Sequence, residues 1–132
     1  MDTDLGRESP DSPAKGSRRL RRASPELGLL AQSSHLPHVL AAALVNAIAD
    51  EALEIAARGF LDTTRIASGD AALWRDICMA NRPALLEALR RLDDQTAEFR
   101  RALKSGDAGG IERFLARGKE RRDGRVNGER AG

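Results

Sequence analysis

From Val39 to Ala49 the chain reads VLAAALVNAIA, with Asn46 the only polar side chain. A helix apolar almost all round is buried on several sides, so this stretch predicts a central bundle helix or a dimer interface. Upstream, Ser33 or Ser34 can cap it, and Pro37 falls in its first turn, where a missing N–H costs nothing. Gly59 supplies a stop, which makes the first helix run from about Ser33 to Arg58. Residues 60–68 then read as a connection, and Ser68 or Asp70 can cap a short helix ending near Ala80. Asn81 and Pro83 punctuate the chain before a long helix, from about Pro83 to Lys104. On that helix Leu85, Leu92 and Phe99 recur at seven-residue spacing, as do Leu89, Thr96 and Leu103, with charged residues off the stripe. Such a stripe suits plain amphipathic packing or a seam between paired helices. Gly106 ends the long helix, Asp107 caps the next, and Ile111, Phe114 and Leu115 give the last helix a weak apolar face. No stretch alternates as a strand does. The fold class is therefore all-α: about four helices over residues 33–117, after a lead (1–32) and before a tail (118–132) whose polar, Gly- and Arg-rich text predicts disorder.

Composition narrows the picture. The 132 residues fit one domain at most, and their 41% hydrophobic content is concentrated in the middle of the chain. A core that small buries only ~60–65% of its unfolded surface, so association with a second chain is a natural source of stability. Lys and Arg number 22 against 20 Asp and Glu, for a net charge of +2. Basic residues lean toward Arg18–Arg22 and Arg117–Arg130, but aromatics are 3% and Tyr is absent, so solvated basic ends are favoured over a nucleic-acid footprint. A single cysteine, Cys78, forbids an internal disulfide and points to a reducing, cytoplasmic setting. The longest apolar run, Val39–Val45, falls far short of the ~20 residues that span a bilayer, so no membrane association is expected. The twin-arginine-like text at Ser17–Ala23 is followed by Pro25, Glu26 and Gly28 rather than an apolar stretch, and it reads as no targeting signal.

A few residues carry candidate chemistry. His35 and His38, three apart, can face the same way from a helix, but no cysteine pair or carboxylate is spaced to complete a metal site. Capping, core packing and ligand contact all remain open for them. Arg65 lies in a connection with Asp62, Thr63 and Thr64; it can grip a carboxylate bidentately or be tied to Asp62. Trp74, the chain's only Trp, reads first as an apolar anchor, with Cys78 beside it in the core. There is no Gly-x-Gly-x-x-Gly and no Gly-x-x-x-x-Gly-Lys-Ser/Thr, so no familiar nucleotide site exists in this sequence.

Three blocks together carry a resemblance: SHLPHVLAAALVNAIAD at Ser34–Asp50, GFLDTTRIASGDAALWRDICMANRPALLEAL at Gly59–Leu89, and the amphipathic helix after them. In this order they resemble the C-terminal helical domain of prephenate dehydrogenases and their arogenate-using relatives, over about Ser33 to Arg117. The resemblance implies an intact enzyme in which a Rossmann domain binds NAD or NADP and supplies a catalytic His, while the helical domain forms the dimer and closes the substrate pocket. Prephenate is there oxidised and decarboxylated to 4-hydroxyphenylpyruvate in tyrosine biosynthesis. By the same resemblance Arg65 matches the arginine that holds a substrate carboxylate, and Asp62 the acidic residue that orders that pocket. His38 matches a pocket-lining histidine, His35 its neighbour, and Trp74 a tryptophan near the dimer and pocket boundary. Family members often read Gly-Gly-Phe where this chain has Ala57-Arg58-Gly59-Phe60, so Arg58 adds a second cation nearby.

The Rossmann domain has no counterpart in this sequence. The text turns family-like abruptly near Gly28–Ser34, which points to an upstream frameshift or an internal start codon. The expected role is the dimerisation and substrate-binding domain, binding no cofactor by itself and catalytically silent alone. Its expected partners are a second copy or a full-length dehydrogenase subunit. The alternative from another class is a stand-alone helical interaction module.

Overall fold

The computed structural model describes residues 25–131, with side chains through residue 128. Most of the predicted disordered lead, including the Arg18–Arg22 cluster, lies outside the described residues. Those described form seven α-helices, one π-helical turn and one 3-10 turn, and no strand, so the all-α expectation holds. No helix among them is long and apolar enough to cross a membrane. They divide into two compact units, one through Leu89 and one from Arg90.

In the first unit, helix α1 (Pro25–Leu30) passes through a π turn (Ala31–His35) directly into α2 (Leu36–Ala47). The expected start at Ser33 or Ser34 is therefore a point inside a running helix: no side chain caps α2, and the Ser33 hydroxyl donates back to Leu29 O at 2.8 Å. Pro37 explains the wide turn. It has no N–H, and in a regular α-helix its ring would collide with the Ser33 carbonyl. The π turn just before it, closed by Leu36 N–H on Ala31 O, opens the register by one residue and absorbs the clash.

The long first helix read from the sequence is also cut downstream. Ile48 (φ −92°, ψ 154°) and Ala49 are extended, α3 spans Asp50–Glu54, and α4 spans Arg58–Thr64. Gly59 does not stop a helix. It lies in the first turn of α4, and an added Cβ there would meet nothing within 4 Å. The residue 60–68 connection is thus helical: α4, then a 3-10 turn at Arg65–Ser68, both packed on α2. In the last turn of α4, Thr63 and Thr64 donate their hydroxyls back to the Gly59 and Phe60 carbonyls, each at 2.8 Å.

Asp70, not Ser68, caps α5 (Ala71–Ala80), accepting from Ala72 N at 2.9 Å and Leu73 N at 3.4 Å. After Asn81, α6 runs Arg82–Ser105. The buried positions of this unit are mostly small: Ala31, Ala41, Thr64 and Ala88, with Leu85 and Asn81. Small residues let helices approach closely but bury little apolar area. Accordingly α2 is fully buried only at Ala41, and Leu40 and Leu44 stay partly open, as do Leu53 and Ile55, the latter 84% exposed. The expected burial of α2 on several sides is not reached within one chain.

The second unit pairs the latter half of α6 with α7 (Ala108–Ala131). The joint follows local rules. Gly106 takes φ +68°, Asp107 N–H bonds Ala102 O, and Gly106 N–H bonds Leu103 O, which is a Schellman ending. Asp107 then caps α7 through Gly110 N–H at 2.9 Å. Phe99 and Phe114 pack with ring centroids 5.2 Å apart, and Arg117 lies over the Phe114 ring and pairs with Glu98 at 3.0 Å. The sequence reading ends this helix near Arg117; the structure continues it to Ala131, with Lys119 and Asp123 paired one turn apart at 2.7 Å.

Candidate functional site

The first unit brings three of the five singled-out residues together. The His38 ring, from α2, stacks on Trp74, from α5, with centroids 3.8 Å apart and planes 14° from parallel. His35, at the end of the π turn, meets Trp74 edge-on at 6.2 Å and 77°. All three rings are half-buried. Trp74 is thus more than an apolar anchor, since both histidines of the SHLPH stretch use it as a platform.

Each ring is fixed by its own element. The Asp70 cap sets the start of α5 and so the height of Trp74 along that helix. Gly69 supplies the room: a Cβ there would stand 3.0 Å from His38 Cε1 and 3.2 Å from Trp74 Nε1. Its φ of −68° is open to any residue, so the need for glycine is one of space. Asn81, at the joint of α5 and α6, is only 2% exposed and reaches back to the first helix, donating from Nδ2 to Leu27 O at 2.8 Å and lying 3.3 Å from His35 Nδ1.

Arg65 and Asp62 are placed differently. Both are exposed, Asp62 in α4 and Arg65 at the head of the 3-10 turn packed on α2, the helix that bears His38. The Arg65 backbone N–H bonds the Asp62 carbonyl, but among the described residues no ion pair joins their side chains. The tie weighed from the sequence is not made. The Arg65 guanidinium has no hydrogen-bond or ion-pair partner among the described residues, which leaves its fork available to an anion. Arg58, the first residue of α4, is also exposed.

Residues 28–117 match the family described as prephenate dehydrogenase, dimerization domain. The chain belongs to that family. The domain is similar to the prephenate dehydrogenase of Bacillus subtilis (strain 168), at 33% identity over 103 residues that cover 74% of this chain and 28% of that protein. Among solved structures it resembles Synechocystis arogenate dehydrogenase, with a TM-score of 0.68, 26% identity, and coverage of 74% of this chain and 38% of that one. It also resembles prephenate dehydrogenase from A. aeolicus in complex with hydroxyphenyl propionate and NAD+, with a TM-score of 0.67, 28% identity, and coverage of 75% and 37%. The chain therefore spans just over a quarter of the length of the Bacillus relative, at 28%.

The His38, Trp74 and Arg65 positions all fall within the matched stretch. Sequence reasoning missed Asn81, read only as punctuation, and Gly69, which it passed over between the 60–68 connection and the Asp70 cap. Gly69 and Asp70 stand side by side before a helix, and that Gly-Asp pair was a cap signal with a tight approach hidden in it. Asn81 gave no such sign, because its partners lie 46 and 54 residues away.

Proposed function

We propose that these residues serve as the dimerisation and substrate-binding domain of an NAD- or NADP-dependent, cytoplasmic dehydrogenase that oxidises prephenate or arogenate. The observation that carries this reading is that His38, stacked on Trp74 of α5, lies on α2, the helix that also receives the Arg65 turn. Together they offer a flat aromatic wall and an unpaired guanidinium, suited to a small ring compound bearing a carboxylate. Arg65 would neutralise that carboxylate without donating a proton, which is the property a fixed cation needs in a decarboxylating oxidation. Asp62, one turn earlier on α4, would steer Arg65 or a ligand hydroxyl.

A dinucleotide needs a strand, a Gly-rich turn and a helix. The described residues form no strand and the sequence has no Gly-x-Gly-x-x-Gly, so they do not fit NAD or NADP, and hydride transfer is assigned to none of them. The purified chain is accordingly expected to leave prephenate unoxidised with either cofactor. Open apolar side chains such as Leu40, Leu44 and Ile55 support pairing with a second copy or with a full-length subunit.

Two experiments test the reading. Light scattering on the purified chain should give a dimer, and a stable monomer would sink the dimerisation role. Titration with hydroxyphenylpropionate, followed by Trp74 fluorescence, should show saturable binding. Arg65→Ala should weaken it on the order of 10- to 100-fold, the worth of a hydrogen-bonded ion pair. Arg65→Lys should recover only part of the loss, because a point charge does not reproduce the fork. Equal affinity in all three proteins would remove Arg65 from the site.

A further inference from the structure

Asn81 is a buried polar side chain doing something other than what its position suggests. It immediately precedes α6, where an Asn ordinarily turns its Oδ1 onto the N–H groups of the first turn. Here Oδ1 is buried and accepts from no group among the described residues. The amide is held the other way round by its Nδ2, which donates to Leu27 O at 2.8 Å. A backbone carbonyl only accepts, so the NH2 end must face Leu27 and the amide cannot be flipped. The same NH2 lies 3.3 Å from His35 Nδ1. An N–H cannot face an N–H in so enclosed a spot, so Nδ1 must be the acceptor and the ring proton must sit on Nε2.

We propose that Asn81 is a positioning residue that locks His35 in its Nε2–H tautomer. His35 thereby presents a single, fixed hydrogen-bond donor to an oxygen of the ligand bound beside Trp74. Among the described residues His35 Nε2 has no acceptor of its own. The ring is held edge-on to Trp74 and joined to α1 through the shared amide. A burial cost accepted at Oδ1 in order to orient a neighbouring ring is what a positioning role looks like, and no gain in helix capping accounts for it. The tautomer part stands on this geometry alone; the ligand part rests on the substrate-binding reading given above.

The first test is spectroscopic and needs no ligand. The full 132-residue chain, labelled with nitrogen-15 at histidine, is recorded by two-bond proton–nitrogen correlation at about pH 8, above the imidazole titration range. His38→Gln assigns the two rings. His35 should show the Nε2–H pattern. Asn81→Asp should convert it to Nδ1–H, because a carboxylate accepts where the amide donated. A wild-type ring that is Nδ1–H or a tautomer mixture overturns the proposal, and so does an unchanged pattern in a folded Asn81→Asp protein. If that variant fails to fold by circular dichroism, the wild-type spectrum still decides.

The second test compares His35→Gln with His35→Leu in the hydroxyphenylpropionate titration. Gln keeps a donor and should retain affinity; Leu should lose on the order of tenfold or more. Equal affinity in both variants and wild type removes the donor role. If wild type itself binds nothing, the substrate-binding reading fails with it, while the tautomer lock is judged by the spectrum.

Discussion

Gly69→Ala and Gly59→Ala should move stability in opposite directions, because only the first meets a steric clash. At position 69 the new methyl would meet His38 Cε1 at 3.0 Å, Trp74 Nε1 at 3.2 Å and the Ile66 carbonyl at 3.4 Å. Relaxed contacts lie at ~3.5–4.0 Å, so the two rings must retreat by about half an ångström. The 3.8 Å stack survives only if both rings shift together. Overpacking of this kind costs ~1–3 kcal/mol. Replacing a glycine of ordinary φ returns ~0.4–1 kcal/mol through the unfolded chain, so the net expectation is a loss of about 1–2 kcal/mol. At position 59, inside α4, the methyl meets nothing within 4 Å, and helix propensity should give a gain of ~0.5–1 kcal/mol. Urea denaturation measures both, and fluorescence of the only tryptophan reports whether the stack has shifted. A Gly69→Ala protein as stable as wild type, with unaltered Trp74 emission, would refute the claim that glycine is there for space.

Two other substitutions test the local joints. Asp70→Ala removes both side-chain bonds to the α5 N-terminus and should cost ~1 kcal/mol in chemical denaturation, with a change in Trp74 emission because the cap sets that helix. Gly106→Ala forces a side chain into φ +68° and should cost ~1–2 kcal/mol while leaving Trp74 emission unchanged, since that joint belongs to the other unit.

The joint between α6 and α7 was legible because its signals are local, although α7 runs on to Ala131 through residues read as a disordered tail. Gly106 and Asp107 end one helix and start the next within a few residues, and of the two heptad series on α6 the one through Leu85, Leu92 and Phe99 is covered while Thr96 and Leu103 stay exposed. The first half was misread for equally physical reasons. Nothing between Ala47 and Asp50 is a glycine or proline, so the extended pair Ile48–Ala49 is a tertiary choice overriding helix propensity. Gly59 looked like a stop, but the cutting had already occurred upstream. Pro37 looked like a first-turn residue because proline is tolerated there; the alternative tolerance, a widened turn just before it, leaves no mark in composition.

That widened turn is also why the site was only half readable. Two histidines three apart do share a helix face, and both His35 and His38 reach Trp74. One extra residue in a helical turn, however, re-phases the residues before it by ~100° relative to those after it. Leu27, upstream of the π turn, presents its carbonyl to Asn81 in that shifted phase, while His38, downstream, keeps the phase that stacks on Trp74. A reading that starts the helix at Ser33 has no Leu27 carbonyl to place and hence no role for Asn81. The proline that forces the wide turn and the asparagine that uses it are therefore parts of one arrangement, separated by 44 residues of sequence and joined only in the fold.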